Sequence, residues 1–351
     1  MQARKNRLQL PFVICVSFVC VAYFVFALCT SHFDLEKNNE LAVEANINQN
    51  YPNIRQFILH YWPTRNIGNT ETTFYEMKYG QSIFYEKLPS WDYRNLLKQT
   101  HVARYKAFDQ RITGCDYKEF VDILEQFKAL SDMNNLTFML YGGSLLGSFR
   151  HFGVIPWDDD IDVFMNTSDK QRLLKVLVNT SKYAIHSPSD RQWKFYKKRK
   201  INTYNCTDNS EGKMYAKHIT WPYVDIFFFL ENDTHIWDEN SMYSSTYIFH
   251  KKDIFPLTFG LFEHLIVHVP RCTENVLSKT YNIELCVTSV YSHKYETQST
   301  SSQLSLPCKR LYNFFPFVFG AVTGRIVYRK LVINGKVLYG TISNNMACLK
   351  T

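Results

Sequence analysis

A chain of 351 residues that is 46% hydrophobic and 16% aromatic has the material for a large folded core, which excludes a disordered or low-complexity protein. Its formal charge of +8 is not gathered into a basic stripe beside any nucleic-acid-binding motif, so nucleic acid is not an expected partner. No C-x-x-C pair or Cys/His spacing of the zinc type occurs, which excludes a structural zinc module.

The N-terminus sets the compartment. Arg4, Lys5 and Arg7 precede an uncharged apolar run over residues 8–29, long enough to cross a bilayer as one helix. The basic flank predicts residues 1–7 as a cytosolic tail and a single-pass type II anchor. A cleaved signal peptide is the alternative, and Ala27-Leu28-Cys29-Thr30 is a mediocre cleavage site for it. The remaining chain is then expected in the lumen of the Golgi or endoplasmic reticulum. Acceptor triplets for N-glycans at Asn135, Asn166, Asn179, Asn205 and Asn232 suit that compartment. So do six cysteines beyond the anchor, for which a pair of Cys272 with Cys286 or Cys308 is the expectation.

Residues 30–54 are polar and without periodicity, as in a stem. Residues 55–115 carry aromatics from Phe57 to Tyr93 and read as an extension packed on the following domain. Phe120, Ile123, Leu124, Phe127 and Leu130 recur at helical spacing, predicting a helix over 116–133. Leu136–Tyr141 reads as a strand ending in a turn, Gly142-Gly143-Ser144, with Leu145–Arg150 opening a helix. A strand, a glycine turn and a helix N-terminus together set bare backbone N–H groups against an anion. Arg150 and His151 are read as reaching a ligand or lying on the surface at the helix end.

About sixteen residues on stands the acidic group Asp158, Asp159, Asp160 and Asp162. If these lie on a strand, Asp158, Asp160 and Asp162 face one way, and Asp159, Ile161 and Val163 the other. Carboxylates crowded on one face repel unless a cation sits between them, and an all-oxygen set suits Mg²⁺ or Mn²⁺. Ser168–Val178 reads as a further helix. Residues 191–200 interleave Phe195 and Tyr196 with Lys194, Lys197, Lys198, Arg199 and Lys200, either as a solvated face or as a screen for phosphates. Asp225 lies inside the apolar run 221–230, where a carboxylate needs a partner; the same ion is the economical one, a core cation the other. Asp253 is read as part of a turn. Residues 318–351 are β-prone and basic, an appended hairpin or a tail.

The segments Gly-Gly-Ser-Leu-Leu-Gly-Ser-Phe-Arg-His at 142–151 and Gly-Val-Ile-Pro-Trp-Asp-Asp-Asp-Ile-Asp-Val at 153–163 resemble the LicD/fukutin-related family. The resemblance extends over residues 116–317 and includes the Asp225 strand, the turn at Asp253–Leu257 and the strand and helix between Val267 and Tyr281. It implies an α+β, nucleotidyltransferase-like mixed sheet flanked by helices, here behind an N-terminal transmembrane helix. It also implies transfer of a phospho-alcohol such as phosphocholine or ribitol phosphate from a CDP-activated donor to a glycan or glycoprotein acceptor. Carried onto this sequence, Asp160, Asp162 and Asp225 are the expected Mg²⁺ or Mn²⁺ ligands. Asp158 is the expected base or an acid behind the ligands, and Gly142, Gly143 and Ser144 the contacts to donor phosphate. Two other readings stay open: a metal-dependent glycosyltransferase, which also uses paired aspartates, and a non-catalytic glycan-binding or scaffold member.

Overall fold

The computed structural model describes residues 73–77, 81–85, 107–108 and 111–112, and the chain from 114 to 348 apart from 179, 188–191, 199–218, 299–301, 324–325 and 344–347. The anchor, the stem and most of the 55–115 extension lie outside the described residues, as do Asn179, Asn205 and Cys206. No helix among the described residues is long and apolar enough to cross a membrane. The first elements described are an antiparallel pair, β1 (Thr73–Met77) and β2 (Gln81–Tyr85).

Helix α1 (Gly114–Met133) buries Phe120, Ile123, Leu124 and Phe127, the face that the helical spacing marks. Phe127 reaches Phe138 and Phe195 with ring centroids 5.1 and 5.2 Å away, which seats the helix on the central sheet. That sheet runs β3 (Phe138–Leu140), β4 (Asp162–Asn166), β7 (Tyr223–Glu231), β6 (Gln192–Lys197) and β5 (Tyr183–His186). The far half of β7 also pairs with β8 (His235–Asp238), which carries β9 (Ile248–His250). Strands β4 and β7 are parallel and every other pairing in the sheet is antiparallel. Residues Tyr223–Phe229 of β7 are buried in succession, as befits a central strand covered on both faces. The architecture is thus a mixed α/β one, with a mixed sheet and several helices.

Helix α2 (Gly142–His151) follows β3 directly, and α3 (Lys170–Val178) follows a 3-10 turn after β4. Asn166 is engaged in that turn: its side chain accepts from the Ser168 amide and donates to Glu231 at 2.7 Å. Asp253 lies in a short helix, α4 (Lys251–Ile254), and a hairpin of β10 (Thr258–Phe262) and β11 (Leu265–Val269) leads to α5 (Thr273–Thr280). After α5 come β12 (Leu285–Val287), the small hairpin β13 (Tyr291–Ser292) and β14 (Thr297–Gln298), and β15 (Ser305–Pro307), which pairs with β12.

The C-terminal segment is neither a lone hairpin nor a loose tail. Strands β16 (Phe317–Thr323), β17 (Ile326–Ile333) and β18 (Lys336–Ser343) form a three-stranded antiparallel sheet. Its Leu331 packs with Phe152 and Leu261 in a small second core. Among the described residues the disulfides are Cys272–Cys348 and Cys286–Cys308, which corrects the expected pairing of Cys272. Cys272 stands at the start of α5, and its partner is in the appended segment, whose contacts local sequence does not predict.

Candidate functional site

The site forms where β4, β7 and β6 lie side by side. Asp225 on β7 pairs in register with Asp162 on β4 and, on its other side, with Lys194 on β6. Directly opposed residues point to the same face, so the sheet presents a row of Asp162, Asp225 and Lys194. Lys194 Nζ lies 2.7 Å from Asp225 Oδ1 and 3.8 Å from the centre of the Tyr223 ring. Gln192 Nε2 donates to the same carboxylate oxygen at 3.1 Å.

The expected acidic strand is shorter than its spacing suggests. Strand β4 begins at Asp162, and Asp158, Asp159 and Asp160 precede it in the irregular segment that follows the turn at Pro156-Trp157. That segment is fixed from a distance, because Asp159 is 1% exposed and both its oxygens are taken. Oδ1 accepts from Arg111 Nη1 at 3.3 Å and from the His293 amide at 3.2 Å, while Oδ2 accepts from Ser292 Oγ at 2.8 Å and the Lys294 amide at 3.1 Å. Asp159 therefore latches the β13–β14 hairpin onto the acidic segment.

The glycine pair is also placed differently from its sequence reading. Helix α2 starts at Gly142, so Gly142-Gly143-Ser144 is its first turn and not a turn before it. Gly142 has φ +49°, and a Cβ there would stand 2.8 Å from Asp162 Oδ2. A Cβ on Gly143 would stand 3.2 Å from Asp158 Oδ2. The glycines thus let the carboxylates of Asp158 and Asp162 close on the helix N-terminus, where the positive end of the helix dipole favours them. Ser144 is buried, and its Oγ accepts from the Asp162 amide at 2.8 Å, tying the helix to the start of β4. Arg150 and His151 are both buried rather than at the surface, and Asp158 is the leading charge acting on Arg150. Arg150 donates to the Leu285 carbonyl, and His151 Nδ1 lies 2.6 Å from the Pro316 carbonyl.

Electrostatics mark the cluster as short of positive charge. Burial, then Asp160 and Asp159, push the Asp158 carboxyl well above the usual carboxylate range. Burial, then Asp160 and Asp225, do the same to Asp162. Burial raises Asp225 as well, against the pull of Lys194. Burial also works to raise Asp159, but the His293 hydrogen bond and the other donors outweigh it and hold the group at about 2. His293 bridges two acids, with Nδ1 3.3 Å from Asp159 Oδ1 and Nε2 3.3 Å from Asp160 Oδ2. Burial opposes its charge, yet Asp160 and then Asp159 carry its pKa up to about 10. Asp158, Asp160, Asp162 and Asp225 carry four formal negative charges against one each on Lys194 and His293. The carboxylates thus outnumber the cations beside them, and the oxygen donor set fits Mg²⁺ or Mn²⁺.

Among the described residues, one group of ligating side chains has its ligand atoms within 4.8 Å of one another, namely Asp158, Asp159 and His293; Asp160, Asp162 and Asp225 do not form such a group. We favour the Asp160 side of His293 for an ion, because the Asp159 oxygens are already satisfied by four donors besides the imidazole.

Tyrosines close one side of the site. The hydroxyl of Tyr281 lies 3.7 Å from the Cβ position of Gly142 and bonds to that of Tyr247. Burial, then Tyr247 and Asp162, raise Tyr281 well above its ordinary value, so it stays a neutral hydroxyl. Tyr141 donates to the fully buried Asp238 at 2.7 Å. Sequence reasoning named neither His293 nor Tyr247 for the site and did not single out Lys194. The alternation of β6 held a signal for Lys194, whereas His293 lies beyond the acidic segment by more than 130 residues and left none.

Residues 135–272 match the model of the LicD/FKTN/FKRP nucleotidyltransferase domain. Over that stretch the chain is similar to the LicD family. The lipopolysaccharide cholinephosphotransferase LicD of Haemophilus influenzae is 46% identical over 56 residues, 16% of this chain and 21% of that protein. An uncharacterized protein of Rickettsia prowazekii is 26% identical over 114 residues, covering 32% of this chain and 41% of its own length. The chain therefore spans less than half of these relatives.

Proposed function

We propose that the protein is a metal-dependent transferase that moves a phospho-alcohol, such as phosphocholine or ribitol phosphate, from a CDP-activated donor to a hydroxyl of a glycan or glycoprotein. The observation that carries this reading is the row of Asp162, Asp225 and Lys194 in register on three strands, set against a glycine-opened helix N-terminus. The cholinephosphotransferase activity in the name of the Haemophilus relative supports the same reaction class.

In the reaction, the acceptor oxygen forms a bond to the alcohol-bearing phosphorus, the pyrophosphate P–O bond to that phosphorus breaks, and CMP leaves. Asp160, Asp162 and Asp225 would hold Mg²⁺ or Mn²⁺, which when bound neutralises charge on the transferred and leaving oxygens. Asp158, whose carboxyl is raised by burial and then by Asp160 and Asp159, would take the proton of the acceptor hydroxyl. Gly142 and Gly143 make room at the helix N-terminus for the Asp162 and Asp158 carboxylates, beside which the donor phosphates would lie, and Ser144 holds Asp162 in place. Lys194, 2.7 Å from Asp225 Oδ1, would supply positive charge beside the donor's anionic oxygens.

We place the reaction in the lumen of the Golgi or endoplasmic reticulum, behind one membrane helix at residues 8–29. Two disulfides support an oxidising compartment. The test is radiolabel transfer by the full-length protein, with CDP-choline, CDP-ribitol and CDP-glycerol offered beside UDP- and GDP-sugars. Asp160→Asn and Asp162→Asn should each abolish transfer while the circular dichroism stays that of the parent. Activity retained in both variants, or transfer from sugar nucleotides alone, overturns the reading.

A further inference from the structure

The β13–β14 hairpin lies beyond the family-matched stretch, which ends at residue 272, yet it reaches into the acidic cluster. We infer that His293 is a nitrogen ligand of the divalent ion, completing a site whose other ligands are carboxylates. The inference rests on the metal reading above and deepens it, because it names the class of ion.

Three observations carry it. First, the imidazole is oriented from behind. Nδ1 faces the Asp159 carboxylate at 3.3 Å, and Asp159 also takes the amides of His293 and Lys294 and the hydroxyl of Ser292. A carboxylate behind one ring nitrogen is the usual support for a histidine whose other nitrogen binds metal. Second, Nε2 is directed at the cluster, 3.3 Å from Asp160 Oδ2, where the ion would take the place of the Nε2 proton, which is released to solvent. Two ligand atoms about 2.1 Å from one octahedral ion, at a right angle, lie about 3.0 Å apart, so an ion fits between them with little movement. Third, the hairpin is not free to carry the ring away. Arg111 donates to the carbonyls of Tyr291 and Ser289, and Glu296 accepts from the hydroxyls of Tyr223 and Tyr291.

A set of three carboxylates and one imidazole is no longer all oxygen. Mg²⁺ prefers oxygen ligands and keeps its waters, whereas a mixed oxygen and nitrogen set favours a transition ion. The protein is thereby expected to select Mn²⁺ over Mg²⁺, with His293 as the source of that selectivity.

The experiment loads the full-length protein with Mn²⁺ alone and records pulsed electron paramagnetic resonance for nitrogen coupled to the ion. The expected result is a ¹⁴N coupling that becomes a ¹⁵N coupling when the protein is grown with ¹⁵N-histidine, a test that needs no variant. In His293→Gln the coupling should vanish. Titration calorimetry should show Mn²⁺ affinity falling about tenfold or more, with a smaller loss for Mg²⁺. Mn²⁺ bound without histidine nitrogen coupling, or coupling that persists in His293→Gln, overturns the assignment and leaves a carboxylate-only metal site standing. No Mn²⁺ binding by the parent protein overturns the metal reading itself.

Discussion

Replacing Lys194 with Met removes the cation from Asp225 while keeping most of the apolar stem. Breaking a buried pair by deleting one partner costs about 3–5 kcal/mol when the survivor is left without compensation. Here the survivor keeps one hydrogen bond from Gln192 at 3.1 Å, and the Lys194 side chain is 20% exposed, so water reaches the gap. Those two facts lower the expected cost to about 2–3 kcal/mol for metal-free protein near neutral pH. The sign with pH follows from the raised carboxyl of Asp225. A group whose folded-state pKa lies above its unfolded one contributes stability below the unfolded pKa and loses it as pH rises through the folded pKa. Without Lys194 that folded pKa rises further, so the variant should be destabilised most at neutral pH and little at about pH 4, close to the unfolded pKa. Urea unfolding of parent and variant in a chelating buffer, at acid and neutral pH, measures the difference. Equal destabilisation at both pH values, or a loss of under about 0.5 kcal/mol at neutral pH, would refute the claim that Lys194 neutralises Asp225.

Gly142→Ala should cost about 1–2 kcal/mol from its positive φ and should also push Asp162 aside, seen as a loss of Mn²⁺ affinity larger than the loss of stability explains. Asp158, Asp162 and Asp225 are all raised, so metal-free protein should become less stable as pH rises from acid toward neutral, and Mg²⁺ or Mn²⁺ should reverse that fall in a thermal melt. Asp159 behaves oppositely, since its folded pKa of about 2 gives stability present above the unfolded pKa and lost as pH falls toward 2. Asp159→Asn should unlatch the β13–β14 hairpin and speed its cleavage by protease several-fold without unfolding the sheet. Cys286→Ser with Cys308→Ser should cost about 3 kcal/mol in a denaturant series, as expected for a disulfide spanning 22 residues.

What could be read in the chain was whatever depends on near neighbours. The buried face of α1 is printed in its spacing, and the apolar run around Asp225 marks a central strand whose single acid needs a partner. The glycine pair and the acidic cluster pointed to the right region. Only Asp162 of the four acids lies on the strand, because Asp158–Asp160 are shaped by a hairpin more than 130 residues later, whose Ser292 hydroxyl and Lys294 amide bind Asp159 and override the local tendency to extend. Lys194 is one lysine among four in the basic run until the pairing of β6 with β7 sets it opposite Asp225. His151 looked accessible beside a helix end, but the appended β16–β18 sheet and the Pro316 carbonyl cover it.

The parallel pairing of β4 with β7 joins segments about sixty residues apart, and the row of acids exists only in one alignment. A slip by a single position would turn the Asp225 carboxylate to the opposite surface of the sheet and bring Val224 or Ile226 beside Asp162. On the proposed metal reading, a nascent chain that mispairs these segments would lack the row of acids that holds the ion.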